Sequence, residues 1–177
     1  RDYQLGYNDE GRLTSITFPN SNVIDITRTG EQMIDQIKEG SNVLADYTYI
    51  GPSRVKEIAY LSGAKQQFGY DGFRRVEDIH HKDGSNGTLL HLTHKVESSV
   101  QAYDQVGNPK WEKDETPQTP TYDVYSYNLG YRITQAKYGA SDRSGTGASK
   151  TDTFTYGDDI GNRSQWDYVS GGTTSTY

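Results

Sequence analysis

Apolar positions along this 177-residue chain fall in short β-prone runs punctuated by Gly, Asn, Asp and Ser, and the runs are in register with one another. Leu13, Ile34, Val55 and Val76 lie 21 residues apart. Two further columns keep the same spacing: Ile16, Ile37, Ile58 and Ile79, and Leu5, Ile26, Tyr47 and Phe68. Tyr7, Tyr49 and Tyr70 form a fourth column, in which the second unit carries Arg28 and, at its glycine position, Gln32. A fixed period of this kind marks a repeat architecture in which each unit is one supersecondary element. At about 3.3 Å per residue a unit is too long to stay straight in a compact domain, so it folds back as a hairpin or meander. The predicted fold class is all-β, built of repetitive antiparallel hairpins.

The stretch "FGYDGFRRVEDI" at 68–79 shows one unit. Phe68 and Tyr70 share a strand face because residues two apart do so. Asp71 and Gly72 read as the turn, Asp through local side-chain bonding and Gly72 through its tolerance of positive φ. Equivalent turns are predicted near 9–11, 51–53, 71–73, 105–108, 128–130 and 158–161. Arg12, Arg54, Arg75 and Arg132 follow turns, where a guanidinium can cover a neighbouring tyrosine ring. Leu13, Val55 and Val76 are expected to be buried at equivalent places. Columns 13 and 16 are an odd number of residues apart, which requires either a β-bulge or cover on both faces.

Residues 1–84 hold the regular repeats. Residues 85–177 continue them with inserted loops at about 85–90, 113–122 and 139–151, rich in Gly, Ser, Thr, Pro and charge. Tyr177 falls 21 residues after Tyr156, and the sequence opens at Arg1, so the chain is expected to be a piece of a longer one whose terminal strands pair with further repeats or with another copy.

Composition narrows the function classes. The apolar fraction is 32%, with 15 Tyr against four Phe and one Met, so tyrosine must supply much of the buried area. A net charge of −6 argues against nucleic acid as a partner. No apolar run approaches the roughly 20 residues of a membrane span. Without Cys there are no disulfides or thiolate metal sites.

Candidate chemistry is sparse. His80, His81, His91 and His94 cluster in sequence, but a strand puts His91 and His94 on opposite faces, away from a shared metal. The acidic turns Asn8-Asp9-Glu10 and Asp158-Asp159 with Asn162 hold oxygens suited to calcium, and local turn bonding accounts for the same residues. Trp111 beside Glu112, Asp114 and Glu115 has the composition of a sugar site. Trp111 and Trp166 are the candidate glycan-stacking residues. No nucleophile elbow, phosphate loop or zinc-protease motif is present, so neither enzymatic activity nor a cofactor is expected.

The repeated motif resembles that of the RHS or YD-repeat family, roughly Y-D-x-x-G-R followed by an aliphatic. It appears as "YNDEGRL" (Tyr7, Gly11, Arg12, Leu13), "YIGPSRV" (Tyr49, Arg54, Val55) and "YDGFRRV" (Tyr70, Asp71, Arg75, Val76). It continues as "YDQVGNP" (Tyr103, Asp104, Gly107), "YNLGYRI" (Tyr127, Arg132) and "YGDDIGNR" (Tyr156, Gly161, Arg163). Ser53 replaces the glycine in the second of these, and Pro109 stands at a strand position in the fourth. The resemblance implies part of a spiral sheet or β-solenoid-like array within a secreted or cell-surface protein. Such repeats enclose a toxin domain or form an extracellular scaffold. The alternative is a glycan-binding adhesion module using exposed Tyr and Trp rows.

Overall fold

The structure, a computed structural model, describes residues 2–116, 118–157, 162–170 and 173–176. It divides into two compact units, one of residues 1–69 and 79–89 and the other of 70–78 and 90–177. All fifteen strands among the described residues pair antiparallel, and within each unit hydrogen-bonded neighbours follow chain order. Among the described residues no helix is long and apolar enough to cross a membrane.

The first unit contains β1 (Gln4–Tyr7), β2 (Leu13–Thr17), β3 (Val23–Arg28), β4 (Ile34–Glu39), β5 (Asn42–Ile50) and β6 (Arg54–Tyr60). Strands β7 (Lys65–Tyr70), β8 (Val76–Lys82) and β9 (Thr88–Thr93) are divided between the units. The second unit contains β10 (Trp111–Asp114), β11 (Thr121–Tyr127), β12 (Ile133–Ala140), β13 (Lys150–Tyr156), β14 (Arg163–Ser170) and β15 (Thr173–Thr176). Residues 88–90, 113–114, 121–122, 139–140 and 150–151, at the margins of the inserted loops, therefore lie in strands.

Register explains the odd column spacing. Tyr7 pairs with Leu13 and Leu5 with Ile16, so two residues on β1 oppose three on β2. Thr14 is the extra residue, and the bulge returns Leu13 and Ile16 to one face. The same shift precedes Arg28, Tyr49, Tyr127 and Tyr156. One face of the first unit consequently runs Leu5, Ile16, Ile24 and Ile26, then Ile37, Ala45, Tyr47 and Ile58. The other carries Ser15, Asp25, Thr27, Gln36, Asp46, Thr48, Glu57 and Gln67. There Gln36 Nε2 donates to Asp46 Oδ1 at 3.0 Å and Gln67 Nε2 to Glu57 Oε2 at 2.6 Å. Leu13 and Val55 take equivalent places opposite Tyr7 and Tyr49, and they and Val76 are half-buried rather than buried. A single sheet layer covers an apolar side chain only with its in-plane neighbours, and Ala45 is the one buried apolar residue described in this unit.

The second unit has a closed core on the strand face that carries Trp111 and Val124. Trp111 pairs with Val124, one residue out of phase with Tyr125. Segments 95–102 and 141–149 fold over it, so that Ala102, Trp111, Tyr122 and Ala140 form a buried cluster with Tyr103, Val124 and Ala148 against it.

The motif turns after Tyr70, Tyr103 and Tyr127 share one design. Asp71 Oδ1 accepts the N–H groups of Phe73 and Arg75, both at 2.9 Å. Asp104 does so for Val106 and Asn108, and Asn128 for Gly130 and Arg132. The fourth turn position is left-handed: φ is 74° at Gly11, 64° at Gln32, 68° at Arg74, 94° at Gly107 and 60° at Tyr131. Gly72 is thus not the positive-φ residue of its turn, because position in the turn, not the nearest glycine, sets the conformation. Arg74 and Tyr131 hold a conformation that costs an L-residue roughly 1–2 kcal/mol, while glycine costs about 0.5–1 kcal/mol more in chain entropy. Both side chains are exposed. Arg74→Gly and Tyr131→Gly are each expected to stabilise the fold by about 0.5–1 kcal/mol, read from the urea midpoint.

Candidate functional site

The motif residues converge on contacts between successive repeats. Tyr49 donates its hydroxyl to the Ile34 carbonyl at 2.6 Å, Tyr103 to Val76 at 2.5 Å, Tyr127 to Pro109 at 2.8 Å and Tyr156 to Ile133 at 2.8 Å. In each case the acceptor is the first residue after the preceding motif turn. Pro109, out of pattern in the sequence, fits because a proline lacks only the N–H and the contact uses its C=O. In the degenerate repeat Arg28 takes the tyrosine's place: its Nη2 donates to the Leu13 carbonyl at 3.1 Å and its Nη1 to Gln32 at 3.0 Å. Sequence reasoning missed this role, although Arg28 stood in the tyrosine column.

The motif arginine completes the contact. The Arg75 guanidinium lies 4.2 Å from the Tyr103 ring centre, and Arg132 lies 4.5 Å from Tyr156. Each such contact contributes about 0.5–2 kcal/mol. Arg75 is held by Asp71 Oδ2 at 2.7 Å. Burial pushes the Asp71 carboxyl up, but bonds from the Arg75 N–H groups and from Phe73 outweigh it and hold the group below its usual range. Burial raises Tyr49, Tyr103 and Tyr127, which keeps their hydroxyls protonated as donors. Tyr, Asp, the left-handed residue, Arg and the aliphatic thus have separate tasks: donor, turn, turn closure, ring cover and acceptor.

The remaining motif residues are placed as follows. Tyr7 is exposed and Arg12 N–H bonds Asn8 Oδ1 at 2.8 Å. Arg54 Nε reaches the Ile50 carbonyl at 3.4 Å. Arg163 lies 5.6 Å from the rings of both Phe154 and Trp166, which stack on each other. Gly161 and the Asp158-Asp159 turn lie outside the described residues.

The Trp111 expectation is corrected. Trp111 is 3% exposed and meets Tyr122 edge-on at 5.9 Å, so no sugar can stack on it. Trp166 is half-buried. The covering segments are tied by Glu97, which accepts the Tyr122 hydroxyl at 2.9 Å and pairs with Lys113 and Arg143, each at 3.3 Å. No sequence signal pointed to this network, whose members come from four separate segments.

His91 and His94 face different carboxylates, as strand alternation requires. His91 sits 3.4 Å from both Asp78 and Glu115, while His94 Nε2 is 3.3 Å from Glu112. Burial lowers the His94 pKa, so the fold favours neutral imidazole. Burial, with Asp123 and Asp114 nearby, raises that of Glu112. A carboxyl raised in the fold is destabilising while ionised, and its penalty disappears as pH falls through the raised folded value. Glu112→Gln is therefore expected to stabilise the chain at pH 7 and to lose that advantage on acidification toward the ordinary carboxylate range. Urea titrations at several pH values check this.

No family model matches the chain, and no curated protein does. Solved structures do. A Photorhabdus luminescens Tc holotoxin pore structure superposes with a TM-score of 0.75 at 16% identity, over 99% of this chain and 9% of that one. A TcdB2-TccC3 crystal structure gives 0.76 at 16% identity, over 98% and 10%. The form of TcdB2-TccC3 without its hypervariable C-terminal region gives 0.75 at 15%, over 98% and 9%. The chain spans about a tenth of the length of these structures. At that identity the likeness is one of fold, and it makes this all-β chain similar to the RHS or YD-repeat strands of Tc toxin components.

Proposed function

We propose that the chain is a structural YD-repeat segment of a larger secreted or cell-surface protein, a length of strand wall that encloses a toxin domain or builds an extracellular scaffold. The observation that carries this reading is the ladder of Tyr hydroxyl and Arg guanidinium contacts, whose purpose is to fix one repeat on the next. Its role is structural rather than catalytic. Strands β1 and β15 each have one neighbour among the described residues. Such edges offer unpaired N–H and C=O groups to further strands of the same protein or to another copy.

The test uses the parent reading frame, digested with a non-specific protease before and after Arg75→Ala with Tyr103→Ala. Sequences enclosed by the repeats should resist digestion and lose that resistance in the double variant. Equal digestion of both would contradict the wall. Light scattering on the chain itself addresses the edges: a monomer stable to dilution, with β1 and β15 amides protected from exchange, would contradict edge pairing.

A further inference from the structure

The turn at 71–75 carries an exposed aromatic that the other motif turns lack at the same position. Phe73 is 82% exposed at its tip, where the equivalent turns hold Glu10, Val106 and Gly130. Its ring borders a cleft of about 350 Å³ lined by Phe73, Arg75, Gln101, Tyr103, Asp104 and Gln105. That volume is within the roughly 300–1,000 Å³ range of small-molecule sites. The back of the cleft is rigid. Arg75 lies between the Phe73 ring at 5.2 Å and the Tyr103 ring at 4.2 Å, and Asp71 clamps its Nε at 2.7 Å. Tyr103 is fixed by its bond to Val76 and by His94 stacked at 5.3 Å.

The front of the cleft is open to a ligand. Gln101 and Gln105 are exposed and make no side-chain bond among the described residues. Each amide presents both donors and an acceptor. A flat apolar ring face beside groups that donate and accept matches a pyranose, whose C–H face packs on an aromatic while its hydroxyls pair in both directions. A proline-rich peptide, by contrast, offers carbonyl acceptors and leaves the amide oxygens unmet. Charge selects further: one guanidinium, Arg75, stands against two carboxylates, Asp71 and Asp104, which disfavours acidic sugars.

We propose that this cleft is a binding site for a neutral hexose or N-acetylhexosamine residue of a glycan, with Phe73 as the stacking platform and Gln101 and Gln105 as the hydroxyl partners. The proposal is independent of the wall reading, since it concerns one exposed turn and its neighbour.

The test is NMR titration of the full chain with lactose, cellotriose, maltotriose and diacetylchitobiose, with sialyllactose and a decaproline peptide as comparators. At least one neutral sugar should shift the Phe73 ring and the Gln101 and Gln105 side-chain amides saturably. Phe73→Ala should weaken that binding about tenfold or more, as truncation of a central aromatic does, while the chain stays folded and the Tyr103 hydroxyl keeps its bond to Val76. Gln105→Ala should weaken it without moving the ring resonances of Tyr103. Three results would overturn the site: no saturable shift with any neutral sugar, unchanged affinity in Phe73→Ala, or tighter binding of sialyllactose or decaproline.

Discussion

Replacing Trp111 by Ala is expected to destabilise the chain by about 3–5 kcal/mol, the range for a large aromatic removed from a filled site. Trp111 is the largest side chain in the one closed core cluster of the described residues, against Ala102, Tyr122 and Ala140. Three of its six neighbours, Ala102, Ala140 and Ala148, are alanines, which have no side-chain length with which to close a cavity. Trp111→Phe should cost much less. Its indole N–H is buried with no partner among the described residues, so Phe removes an unsatisfied donor while keeping most of the apolar volume. Urea denaturation of the two variants separates these contributions. Equal losses would mean that the indole nitrogen is satisfied in solution, and a negligible loss for Ala would mean that the segments 95–102 and 141–149 do not cover this face.

Tyr103→Ala should be the next most damaging change, at about 2–3 kcal/mol. A fully buried aromatic lost to alanine costs about 3–5 kcal/mol, and this ring is half-buried. The ring stacks on His94 and under Arg75, and its hydroxyl bonds Val76. Tyr103→Phe isolates the last of these, with an expected cost of about 1 kcal/mol for a single hydrogen bond. Arg28→Tyr gives the converse experiment. It restores the motif residue where an arginine already reaches the Leu13 carbonyl, so stability should be kept within about 0.5 kcal/mol, the spread of a neutral partly exposed change.

The period was legible because apolar columns survive even where motif residues do not: Ile34 and Ile37 keep register around Arg28 and Gln32. Their parity was legible only as a choice between a bulge and two covered faces. A bulge shows as one additional residue in one strand, and only the partner strand's register reveals it. Gly72 was misassigned because adjacency to Asp71 is a local cue, whereas the left-handed position is fixed by the count from Asp71 to Arg74. Trp111 looked like a sugar platform because its acidic neighbours are visible in sequence and the segments that bury it are not. The arginine-over-tyrosine contacts of Arg75 and Arg132 followed directly from the repeat, since a cation after each turn meets the ring of the next unit.

The central claim is that tyrosine hydroxyls tie each repeat to the preceding carbonyl. Solution NMR at low temperature observes those protons directly. Hydroxyl protons of Tyr49, Tyr103, Tyr127 and Tyr156 should exchange slowly enough to be seen and should show cross-relaxation to Ile34, Val76, Pro109 and Ile133 respectively, while that of the exposed Tyr7 should not appear. Hydroxyl exchange at all four positions as fast as at Tyr7, without contact to those residues, would contradict the ladder.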